Sequence, residues 1–146
     1  MTRSVLGVWL ACLLSLAALS GCGKSTGAGT IPATGIVTFD GTPVEGASIT
    51  FQPIGSDAKL ASQATTDAAG KFELSTYASG GKFHPGIAPG QYAVSITKLD
   101  TASIRDTLSP PKNLLPAKYA NPNSSMLKAE VAAGSENRFE FPLVSK

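Results

Sequence analysis

At 146 residues, with 42% hydrophobic and 15% charged side chains, the chain has a one-domain length and enough apolar material for one core. Its formal charge of +2 comes from Lys and Arg scattered among Asp and Glu, which excludes the clustered basic footprint of a nucleic-acid binder. The two cysteines, Cys12 and Cys22, fall in or beside an apolar leader, which excludes a disulfide-stapled scaffold.

A short start carrying Arg3 precedes an apolar run over residues 5–19, after which the composition turns at once to Gly, Ser, Thr and Lys. A basic start, a short apolar core and small residues before a cut site make a secretory signal peptide, here residues 1–21. The apolar run is about fifteen residues, short of the roughly twenty that cross a bilayer as a helix. It ends in Leu19-Ser20-Gly21-Cys22, which resembles the bacterial lipobox, where the Cys thiol receives a lipid and becomes the first residue of the mature protein. Lipidation of Cys22, by palmitate for example, is therefore expected, with the product held in the cell envelope on a membrane outside the cytoplasm, the outer membrane being the expected one. Residues 22–33 then form a flexible tether, since residues 23–32 are small, polar and aperiodic. About ten such residues reach roughly 17 Å.

From Thr34 onward the pattern has period two, because successive side chains of a strand point to opposite faces. In residues 34–39, Gly35, Val37 and Phe39 share one face, and Asp40-Gly41 supplies turn chemistry. In residues 47–52, Ala47, Ile49 and Phe51 alternate with Ser48, Thr50 and Gln52 until Pro53 ends the strand; Pro43 and Gly46 punctuate the connection before it. A weaker strand, 61–66, turns at Asp67-Ala68-Ala69-Gly70 into residues 71–76, a hairpin with Phe72 and Leu74 inward. Residues 77–89 read as a Gly- and Pro-rich loop, and Pro89-Gly90 launches the clearest strand, 91–98, with Tyr92, Val94 and Ile96 inward.

The connection over residues 99–125 exceeds the roughly twelve to fifteen residues at which structureless loops become uncommon. Its apolar anchors Leu114, Leu115 and Tyr119 are expected against the domain, with residues 100–109 more mobile and several prolines stiffening the path. Two strands close the chain: 126–132, with Leu127, Ala129 and Val131 inward, and 137–143, with Phe139, Phe141 and Leu143 inward. A turn at residues 133–136 joins them, and Pro142 assigns the last strand to a sheet border. No helical stripe interrupts this series. The fold class predicted for residues 34–146 is all-β, a seven-stranded antiparallel β-sandwich, because only two facing sheets hide every inward side chain.

The runs GIVTFDGTPVEGASITFQP, TTDAAGKFEL and PGQYAVSI resemble the carboxypeptidase regulatory-like or transthyretin-like β-sandwich, a Greek-key fold. Together with the lipobox and the late segment LLPAKYANPNSSMLKAEV, the arrangement is similar to small lipoproteins common in planctomycete bacteria. The resemblance spans residues 34–143 and rests on strands and turns, so it implies fold more than activity. It implies an accessory, adhesion or binding module. The transthyretin-like hydrolases of purine breakdown use paired His with an Arg and a Tyr-Arg-Gly-Ser terminus. This chain has one His and ends Phe-Pro-Leu-Val-Ser-Lys, so no catalytic residue carries over.

Each candidate site has a plain structural alternative. His84 lacks a second ligand or an orienting partner in sequence and reads as an exposed loop residue. Asp67 has no oxygen-bearing acid or amide two or four residues on, so it reads as a turn cap rather than a calcium ligand, and Asp40-Gly41 reads likewise. Ser124-Ser125 has no base, and neither a G-x-S-x-G elbow nor a phosphate loop occurs. Tyr77, Phe83 and Tyr119, assigned to loops, either stack on a sugar or peptide or cover the open ends of the sandwich. Lys118, Tyr119 and Asn121 form the candidate partner surface, for an envelope protein or a glycan, against the alternative that their segment seals a sheet edge.

No cofactor and no metal site is expected. These observations predict an exported, lipid-anchored binding or structural module of the cell envelope, not an enzyme, with the membrane engaged through the lipid on Cys22. The alternative is a hydrolase or transport accessory whose site forms only on folding, as a pocket joining His84 to two carboxylates would indicate.

Overall fold

Each period-two run becomes a strand in the computed structural model, which describes residues 29–55, 60–78, 81–101 and 110–146. The signal peptide, Cys22 and most of the tether lie outside the described residues, as do residues 102–109, which hold most of the segment expected to be mobile. Ten strands occur among the described residues: β1 (Ala33–Phe39), β2 (Thr42–Pro43), β3 (Ser48–Pro53), β4 (Ser62–Thr65), β5 (Lys71–Glu73), β6 (Ser75–Ala78), β7 (Lys82–Pro85), β8 (Gly90–Thr97), β9 (Lys128–Val131) and β10 (Asn137–Leu143). They build two sheets. One runs β7-β6-β4-β3-β8-β9, and in the other β1 lies beside β10 while β2 and β5 pair with different stretches of β1.

The sheets face one another across an aromatic core. Phe51 of β3 meets Phe72, Phe139 and Phe141 of the smaller sheet at ring-centroid distances of 6.4, 5.5 and 6.0 Å, and Tyr92 of β8 at 6.0 Å. Ala47, Ile49 and Phe51, then Tyr92, Val94 and Ile96, are all fully buried, while their strand neighbours face water or are half-buried. Burying each large side chain contributes about 1.5–3 kcal/mol. Gly35 faces inward on β1 because the Phe72 ring takes the space of its missing side chain: a Cβ there would lie 2.5 Å from that ring and against the Phe139 carbonyl.

The all-antiparallel expectation is corrected at one place, where β1 and β10 run parallel with Ala33 opposite Asn137 and Phe39 opposite Leu143. The turn at residues 133–136 does not close a hairpin. It carries the chain from β9 in one sheet to β10 in the other, and Asn137 ties the crossing: its side-chain oxygen accepts from Ala132 N at 2.9 Å and its amide donates to the carbonyls of Ala132 and Ser135. Edge placement of the Pro142 strand agrees with the sequence reading, since β10 ends its sheet.

Two further corrections concern the middle of the chain. The expected hairpin splits at Leu74: β5 leaves to pair with β1, and only β6 returns to β4, with Ser62 opposite Thr76. Both partners reward the split, because Leu74 N donates to Ala33 O at 2.9 Å while Phe72 and Leu74 stay in the core. The turn before it is as read, with the Asp67 carboxylate accepting from Ala69 N and Lys71 N at 2.8 and 2.9 Å and Gly70 at a φ of 72°. The predicted loop over residues 77–89 contains β7, which pairs antiparallel with β6.

Leu115 and Tyr119 are buried as expected, but Leu114 is 47% exposed. Asn113 pairs with Leu99 in an isolated bridge, and its side-chain oxygen accepts from Lys98 N and Leu115 N, so the extended backbone turns Leu115 inward and its neighbour Leu114 outward.

Candidate functional site

The outer face of the six-stranded sheet follows from one buried pair. Ser62 and Thr76 join their hydroxyls at 2.6 Å inside the sandwich, and Thr76 also donates to Gly86 O at 2.7 Å. Their inward direction sends the alternate residues Gln63, Ser75 and Tyr77 outward. Register then aligns Ser75 with Gln63, Gln63 with Thr50 and Thr50 with Ser95, a row across four strands. A second row runs Thr65, Ser48, Thr97. None of these seven side chains is charged, and each offers a hydroxyl or an amide to water.

At the β6–β7 end of the face stand two aromatics. Tyr77 lies opposite Phe83 in the ladder, their rings edge to face at 5.2 Å, and they are 53% and 55% exposed. A cleft of about 400 Å³ is lined by Ser48, Thr50, Gln63, Thr65, Ser75 and Phe83 among others, Glu73 included. The sequence alone assigns both aromatics to a loop, whereas they pair across the β6–β7 ladder. The signal that finds them is the short alternation Ser75-Thr76-Tyr77 and Phe83-His84-Pro85 on either side of Gly80-Gly81, a hairpin pattern shortened by the prolines and glycines around it.

The outer face of the smaller sheet differs in kind. A cleft of about 700 Å³ there is lined by Lys71 and Arg138 with Asp67, Glu73 and Glu140 around Ile36. Arg138 pairs with Glu136 at 3.0 Å, an exposed ion pair that contributes little to stability. Neither cleft is lined by His84, which sits half-buried in β7 opposite Thr76 rather than in a loop. Among the described residues no group of three His, Cys, Asp or Glu is placed to hold a metal ion, and no helix is long and apolar enough to cross a membrane.

The candidate partner surface divides on folding. Tyr119 ends a 3-10 turn, Ala117–Tyr119, with its ring buried and its hydroxyl held by the backbone of Val144. Lys118 is exposed, but its Nζ donates to Lys146 O at 2.9 Å and lies 4.9 Å from the centre of the Tyr119 ring. Asn121 is exposed, and its side-chain oxygen accepts from Asn123 N at 2.8 Å to close a local turn. Tyr119 and Lys118 therefore seat the C-terminal segment while Asn121 shapes a local turn, with Lys118 and Asn121 facing water. Ser125 is buried; its hydroxyl donates to the carbonyl of Val94 and accepts from Leu127 N at 3.2 Å, a structural use of the group. Asp40 accepts from Ser145 N at 3.1 Å.

No known protein family, curated protein or solved structure gives a match to this chain.

Proposed function

We propose that the chain is an exported, lipid-anchored binding module of the cell envelope, built on a sandwich of the transthyretin-like or carboxypeptidase regulatory-like type. Leu19-Ser20-Gly21-Cys22 supports export and acylation, with residues 1–21 removed, Cys22 lipidated and residues 22–33 serving as tether. The observation that carries the binding half is the outer face of the large sheet, where Tyr77 and Phe83 remain more than half exposed although they pair with each other. Exposed aromatics grouped on a rigid sheet are the surface that recognition uses, whereas scattered single ones need no explanation.

Two measurements test the reading. Intact-mass spectrometry of the membrane fraction is expected to give an acylated chain beginning at Cys22, and an unlipidated chain or one retaining residues 1–21 overturns the anchoring. The detergent-solubilised full-length lipoprotein is then expected to be retained on delipidated cell-envelope material. Passage through that material without retention overturns the binding role.

A further inference from the structure

The face that carries the binding reading also specifies the chemistry of what it takes. We propose that the outer face of the six-stranded sheet binds a neutral polysaccharide, whose rings stack on Tyr77 and Phe83 and whose hydroxyls meet the rows at Ser75, Gln63, Thr50 and at Thr65, Ser48. This assignment rests on the binding-module reading and adds the ligand class to it.

Three properties of the face converge on that class. The first is charge complementarity. The rows crossing β6, β4, β3 and β8 hold only hydroxyls and one amide, and the one charge lining their cleft is the Glu73 carboxylate, so a polyanion finds no counter-ion there, while sugar hydroxyls can donate to every group including that carboxylate. The smaller sheet shows the contrast, since Asp67, Lys71, Arg138 and Glu140 line its cleft besides the shared Glu73.

The second is hydrogen-bond type. Ser and Thr hydroxyls donate and accept, and the Gln amide does both from separate atoms, which matches sugar hydroxyls that themselves do both. A peptide strand needs a free sheet edge with its row of backbone groups, and these side chains lie on the face instead.

The third is the aromatic pair. Edge-to-face packing at 5.2 Å and 62° sets the two rings at an angle, and both remain over half exposed. Phe83 lines the same cleft as Ser48, Thr50, Gln63 and Thr65, and Tyr77 packs against Phe83, so the aromatic pair adjoins the hydroxyl rows through Phe83. From β6 to β8 the face spans three inter-strand steps of about 4.8 Å, room for a short oligosaccharide lying across the strands.

The test uses the full-length lipoprotein in detergent. Retention is measured on cellulose and chitin, and by electrophoresis through gels containing soluble xylan or mannan, with heparin and polygalacturonate as charged comparators. We expect retention on at least one neutral polymer, insensitive to added salt. Tyr77→Ala and Phe83→Ala should each weaken it at least tenfold with thermal melts unchanged, and Tyr77→Phe should restore most of it. Arg138→Ala on the opposite face should leave it intact. No retention on any neutral polymer, equal retention by the alanine variants, or a preference for the charged comparators overturns the proposal. If the alanine variants lose hold of cell-envelope material while no neutral polymer is bound, the ligand class fails and the binding-module reading stands; if the parent chain holds neither, both fail.

Discussion

Tyr119 and Val144, twenty-five positions apart, make two hydrogen bonds through one hydroxyl: it donates to Val144 O at 3.3 Å and accepts from Val144 N at 3.1 Å. The pair fastens the chain just beyond β10 to the 3-10 turn of the long connection, so the connection works as a clasp on the last strand. Tyr119→Phe keeps the buried ring and removes both bonds, leaving two backbone groups to find water. We expect a loss of about 1–3 kcal/mol in urea unfolding. Replacing Lys118, Tyr119 and Asn121 together by Ala should lower the melt further, because the ring is lost as well.

Register can be read by charge. Val94 is buried on β8 and its neighbour Ser95 faces outward, opposite Thr50. Val94→Asp should prevent folding or cost several kcal/mol, since an unpaired carboxylate is forced into the core, whereas Ser95→Asp should shift the thermal midpoint little. Equal shifts would show the strand displaced by one residue.

Gly35→Ala is expected to destabilise the domain by about 1–3 kcal/mol, the cost of overpacking a filled core. The Cβ would meet the Phe72 ring at 2.5 Å and the Phe139 carbonyl, and the latter is backbone that cannot turn aside. Pairing Gly35→Ala with Phe72→Leu should return part of the loss if the ring is the main obstacle, as equilibrium unfolding of the double variant would reveal.

Burial raises the pKa of Tyr92 above its ordinary value of 10.0, and its hydroxyl donates to Ala88 O at 2.8 Å. The neutral phenol is the form that the fold accepts. Its contribution is therefore complete below the unfolded-state pKa near 10 and is lost as pH rises through the higher folded value. We expect stability to fall in the alkaline range and the Tyr92→Phe variant to fall less steeply there. Identical alkaline profiles would place the loss elsewhere.

Met126 adopts a φ of 57° with 89% of its surface exposed. A left-handed conformation costs a residue with a Cβ roughly 1–2 kcal/mol, and an exposed side chain returns little of it. Met126→Gly relieves that strain at some cost in unfolded-chain entropy, so a net gain of about 0.5–1 kcal/mol is expected. A lowered midpoint in the melt would mean that the Met side chain makes a stabilising contact.

Period two determined which side chains are buried. The sequence alone marks Ile49, Phe51, Phe72, Tyr92, Val94, Ile96, Val131 and Phe141 as inward, and all are in the core, because alternation is a local property of the extended backbone. Turn chemistry was equally legible at Asp67 to Gly70, where the side chain bonds amides two and four residues ahead.

Partner choice was not legible. Nothing local distinguishes a return to the same sheet from a crossing to the other, since both leave the same face inward. β10 therefore joins β1 in parallel and β5 leaves its expected hairpin for β1, whereas β7 pairs with its neighbour β6 in a local hairpin whose alternation the surrounding prolines and glycines shorten. The same limit hid the candidate site. Tyr77 and Phe83 are aromatic in any reading, but only antiparallel pairing sets them side by side, and only the β6–β4–β3–β8 register joins them to the hydroxyl rows. Tyr119 was legible in part: as an apolar anchor of the long connection it is expected against the domain and is buried there, but that the backbone of Val144, supplied from the far end of the chain, holds its hydroxyl was not. Hydrogen bonds between distant segments decide these placements, and no local pattern encodes which distant segment arrives.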